Sequence, residues 1–127
     1  MEIYKIIFNR LQSFIKKENI ERSDNYAIVF FLTETMRIFN KKIQKSQSKP
    51  DGINLQNVGY SNTIQIEADF AQRFNHLCDN YLKKHVGRNL TELRLMIMSN
   101  ENNDEIAKNL KELCKKLFNI TKTMIQN

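Results

Sequence analysis

The 127-residue chain is short of turn formers, with only three glycines and one proline. Sandwiches and barrels need a turn about every 8–12 residues, and tight turns draw on Gly and Pro. An all-β class is therefore excluded, as is a glycine-rich phosphate loop. Helix interiors need neither residue. Tryptophan is absent, and the two cysteines, Cys78 and Cys114, are too few for a disulfide framework. Both fall on apolar helical positions, which predicts buried thiols in a reduced compartment. No apolar run approaches the roughly 18 residues of a membrane span; the longest, Tyr26 to Leu32, is seven residues. Residues 1–5, Met-Glu-Ile-Tyr-Lys, lack the basic start of a signal peptide. A cytoplasmic protein with no membrane partner is expected.

Hydrophobic residues make up 41% and charged residues 27%, ordinary values for a globular chain. One core spanning 1–127 is expected, since a chain of this length buries about two thirds of its unfolded surface. The net charge is +6. It is concentrated in the first fifty residues, which hold ten basic and five acidic side chains. The chain is also rich in Asn, Lys and Ile, a bias that an AT-rich genome produces unselected. The charge alone is therefore weak evidence for a nucleic-acid partner.

Apolar spacing supplies the elements. Ile3, Ile7, Leu11 and Phe14 form one helical stripe over about Glu2–Lys17, broadened by Ile6, Phe8 and Ile15. A second helix is predicted from Ser23 or Asp24, both good N-caps, to about Gln44. Ile28, Phe31, Leu32, Met36, Phe39 and Ile43 make its main stripe. Val29 and Phe30 add apolar surface on other faces, the pattern of a central bundle helix. Residues 46–62 then form a long loop, with a Pro50-Asp51-Gly52 turn and a bend at Gly59. Compact domains use connections of about 4–6 residues, so this loop is expected to be mobile or to bind something.

A third helix, about Thr63–His85, carries Phe70, Phe74, Leu77 and Tyr81, with Ala71, Cys78 and Leu82 beside them and Gly87 as its stop. A short helix, about Leu90–Ser99, opens on Asn89 with Glu92, a capping box. The last helix, about Asp104–Ile125, has the cleanest pattern: Ile106, Leu110, Leu113, Leu117, Ile120 and Met124 make a heptad seam. The seam packs either inside its own bundle or against a second copy, as a homodimer. The fold class predicted is all-α and four-helix-bundle-like, with four long helices plus one short helix before the last.

Local chemistry is sparse. No Ser, Cys or Thr sits in a nucleophile motif. Glu67 and Asp69, two apart, face different ways on a helix. His76 and Asp79 share a face, but Glu-x-x-His, Cys-x-x-Cys and His-x-x-x-His spacings are missing. His85 falls at a helix end, a capping position. No catalytic residue, metal or cofactor is expected, which points to a non-enzymatic binding protein.

Two basic clusters suggest where it binds. Lys41, Lys42 and Lys45, with Lys49 beyond, leave the second helix; Lys83, Lys84 and Arg88, with Arg94 nearby, surround the junction after the third. If they converge they form a phosphate-contacting surface for nucleic acid; otherwise they are solvated lysines. Tyr60 apart, the aromatics fall mostly on apolar stripes, so no base-stacking platform is visible. The first expectation is thus a regulatory protein contacting nucleic acid. The second is a protein-interaction module of adaptor, inhibitor or immunity type, which uses an apolar groove and leaves an exposed apolar patch.

Leu90-Thr91-Glu92-Leu93-Arg94, followed by Asp104-Glu105-Ile106-Ala107, resembles the start of a LuxR-type helix-turn-helix. The resemblance covers under a fifth of the chain and implies a scaffold helix followed by a separate recognition helix. The sequence departs from it where the apolar stripe runs on to Met124 without a turn, and no DNA-reading residue is carried over.

Overall fold

The computed structural model describes residues 2–47, 58–99 and 104–126, with the backbone alone for 58–61. Five helices follow in order: α1 (Glu2–Lys16), α2 (Arg22–Gln47), α3 (Val58–His85), α4 (Leu90–Met98) and α5 (Asp104–Ile125). No strand occurs among the described residues, and the all-α bundle expected from the sequence is what forms. No described helix is long and apolar enough to cross a membrane.

The four long helices alternate in direction. Tyr4 stacks on Phe39, and Lys17 of the α1–α2 connection pairs with Asp24, so α1 and α2 are antiparallel. Lys42 meets Glu67 while Asn40 meets Asn75, so α2 and α3 are antiparallel as well. Phe8 stacks on Phe118 at 4.3 Å and Lys111 reaches the Lys17 carbonyl, which sets α5 antiparallel to α1. Short α4 closes the end of the bundle against α2. The centre is an aromatic cluster in which Phe39, fully buried, makes edge contacts with Phe70 and Phe74 at 5.6 and 4.9 Å. Such pairs contribute about 0.5–1.5 kcal/mol each beyond area burial.

Helix ends follow local chemistry with one shift. The α4 capping box is present: Glu92 N–H donates to the Asn89 side chain at 2.8 Å, and Asn89 N–H donates to Glu92 at 3.3 Å. Gly87 takes φ +71°, which L side chains resist, and its N–H closes on the Leu82 carbonyl. At α2 the predicted cap is corrected. The helix starts at Arg22 rather than Ser23 or Asp24, and Asp24 works from the first turn, accepting the Glu21 N–H at 2.9 Å and Lys17 at 2.5 Å. Its carboxyl is held below the usual range by those bonds, the lysine bond foremost. Arg22 donates to the last carbonyls of α4, Ile97 at 2.8 Å and Met98 at 3.1 Å.

The predicted loop is shorter than 46–62. Helix α2 runs through Gln47 and α3 begins at Val58, so Gly59, the expected bend, is in the first turn of α3. Pro50, Asp51 and Gly52 lie outside the described residues.

Candidate partner-binding face

The two basic clusters do not meet. Lys42 is opposite Glu67 near the start of α3, whereas Lys83 and Lys84 are in its last turn. At 1.5 Å per residue the clusters stand about 25 Å apart along α3. Each also has acidic company: Lys42 bonds Glu67 at 2.7 Å, and Arg88 lies 3.8 Å from Glu92. Lys41, Lys45, Lys83 and Lys84 are exposed. The single converging surface expected for nucleic acid is therefore not formed. Antiparallel pairing of α2 and α3 sends their C-terminal ends, which carry the two clusters, to opposite ends of the bundle.

The heptad seam is covered by its own chain. Leu110, Leu113 and Leu117 are fully buried, Ile106 and Ile120 nearly so, and Met124 half-buried, with α1 and α3 packed against α5. Of the two packing modes the heptad allows, the bundle uses the internal one. A second copy would find little of this seam.

Around the histidines no cluster of three or more potential metal ligands forms among the described residues. Asp79 is raised by burial, partly offset by His76. The His85 ring lies 4.5 Å from Tyr81. Cys78 and Cys114 are free and buried, and burial pushes both thiols up to about 12.

Among the polar groups at the core, one joins three helices. The Tyr4 hydroxyl donates to Glu67 at 2.9 Å, and Lys42 donates to the same oxygen. Burial alone would raise the Glu67 carboxyl, but these two bonds, with the Lys42 and Lys45 charges, outweigh it and hold it below its usual range. Sequence reading assigned Glu67 no partner, because both lie in other helices.

The most distinctive surface was not singled out by sequence. Seven large apolar side chains are exposed among the described residues, and three of them, Tyr26, Phe30 and Met98, line two grooves that meet at Tyr26. Tyr26 and Phe30 lie one turn apart on α2. They share with Ala27, Phe31, Glu34 and Arg10 a groove of about 410 Å³ between α1 and α2. Tyr26 also borders a second groove of about 680 Å³, with Arg22, Ser23, Ile97 and Met98. Ile6 lies one turn before Arg10 and Ile38 one turn after Glu34. Leu95 shares the exposed side of α4 with Met98. Phe30 is 54% exposed, Leu95 61% and Met98 55%. Val29, Leu32 and Ile28 bury the opposite side of α2. Helix α2 touches all four other helices, as expected of a central helix, yet it leaves Tyr26 and Phe30 exposed.

The helix-turn-helix resemblance does not extend into the structure. Helix α5 is continuous from Asp104 to Ile125, so no turn separates a scaffold helix from a recognition helix. Compared with known protein families, curated proteins and solved structures, the chain matches none of them significantly.

Proposed function

We propose that this protein is a non-enzymatic interaction module, of adaptor, inhibitor or immunity type, that docks a protein partner on the α1–α2–α4 face. What supports the reading is that the exposed Tyr26, Phe30 and Met98 line two grooves that share Tyr26. Single exposed apolar residues are common on any protein, but a contiguous set marks an interaction surface. Tyr is enriched at the energetic centres of interfaces, and Tyr26 joins the two grooves. Nucleic-acid contact through the lysine clusters has no comparable support, since they stand at opposite ends.

The test is site-specific photocrosslinking in the cells that make the protein. A benzophenone side chain at position 30 or 95 should yield a discrete protein adduct. The same group at the exposed Asn80 of α3 should not. Adducts equally abundant at all three positions, or at none, would refute the proposal.

A further inference from the structure

The partner's chemistry can be read from the rim of the face. Along α2 the outward row is Arg22, Tyr26, Phe30, Thr33, Arg37 and Lys41, all exposed. It includes three basic side chains and no acidic one. Its spacing keeps it on one helix face over about 28 Å. Across the first groove stands Arg10, its guanidinium 4.7 Å above the Phe14 ring. On α4, Arg94 lies one turn before Met98. Glu34 is the only carboxylate among the residues lining either groove, and it is already bonded to Arg37.

Resting on the docking function proposed above, we infer that the occupant is an amphipathic α-helix with an apolar face and carboxylates along its flanks. Helix-in-groove is the recognition mode such a surface offers, because no described strand provides an edge for an extended peptide. Ridges of an incoming helix fit between α1 and α2 as helices pack elsewhere. The charge selects its flanks: Arg10, Lys41 and Arg94 attract acids and repel bases, while Arg37 offsets Glu34. The same argument disfavours a second copy. A two-fold contact pairs the same patch with itself and would set these cations against one another in a chain already at +6.

Two designed helical peptides of about 18 residues, long enough to match the row, separate the possibilities. Both carry Leu and Phe anchors at i, i+3, i+7 and i+11 spacings; one has Glu on its flanks and the other Lys. Fluorescence anisotropy with the full chain should show the Glu-flanked peptide binding at least about tenfold tighter near 50 mM salt, with the gap narrowing as salt rises. Phe30→Glu should weaken it at least about tenfold, with circular dichroism confirming the fold. Tyr26→Ala, which adds no charge, should weaken it too. Arg10→Glu with Arg37→Glu should reverse the preference.

Equal binding of both peptides, still lost on Phe30→Glu, would overturn the acidic-flank assignment while leaving protein docking intact. Binding indifferent to Phe30→Glu, or no binding of either peptide, would overturn the inference itself. So would a dimer by sedimentation that Phe30→Glu dissociates, which makes the occupant a second copy. Phe30-dependent capture of single-stranded oligothymidine tighter than of the Glu-flanked peptide would make it nucleic acid.

Discussion

Tyr4 donates its hydroxyl to Glu67 at 2.9 Å, tying the first turn of α1 to α3 across 63 residues of chain. Lys42 of α2 bonds the same carboxylate oxygen, so three helices meet at one atom. A bond to an ionised group is worth about 1.5–3 kcal/mol. Tyr4→Phe keeps the buried ring and removes only that bond. It should lower the unfolding free energy by about that amount, seen as a lower urea midpoint at unchanged m.

The same site sets a pH dependence. The folded state holds the Glu67 carboxyl below its ordinary value of 4.5. Between the two values the unfolded chain binds more protons, so stability rises with pH there. The contribution is present in full above the unfolded value and is lost as pH falls through the folded one. Glu67→Gln should therefore destabilise the protein at pH 7, and the gap from wild type should shrink as pH drops below about 4. Urea titrations across that range check it.

Leu113 separates a core from a dimer seam. It is fully buried within the bundle, so Leu113→Ala should cost about 2–5 kcal/mol in thermal or urea unfolding. The mass in sedimentation should not change.

Phe30 should behave in the opposite way. With half its surface exposed, Phe30→Glu should alter stability by no more than about 0.5 kcal/mol. Phe39→Ala, which removes a ring in contact with Tyr4, Phe70 and Phe74, should cost about 3–5 kcal/mol. Differential scanning calorimetry on both variants makes the comparison.

The thiols report opening of the bundle. Cys78 and Cys114 are buried, with their ionisation pushed up to about 12, and the thiolate is the reactive form. An aromatic disulfide reagent at pH 8 should titrate neither in the native protein and both in denaturant. Fast labelling of native protein would contradict this burial.

What was legible in the sequence is what is local or periodic. The α5 seam repeats every three to four residues, and its burial follows from that period. The Asn89–Glu92 box is complete within four residues. The hidden features depend on how helices are set against each other. A run such as Tyr26–Leu32 says that several faces are apolar but not which one stays uncovered. Whether the basic clusters converge was not legible, because helix direction is not written in either of them. Tyr4 was missed for a smaller reason: the stripe was centred on Ile3, whereas the helix turns Tyr4 fully inward and leaves Ile6 in solvent.

Arg22 bears on how the proposed docking face would take up a partner. Its guanidinium fork holds the last carbonyls of α4 to the first turn of α2, and those two helices form the walls of the groove at Tyr26 and Met98. The walls are thus locked in register before anything arrives. Ordering a surface is part of what association costs, and here folding has already met that cost. Arg22→Lys would keep the charge but lose the planar fork, loosening the C-terminal end of α4 while Leu93 and Ile97 keep the helix packed. Loss of partner affinity would then show up as a slower capture step rather than as a missing contact.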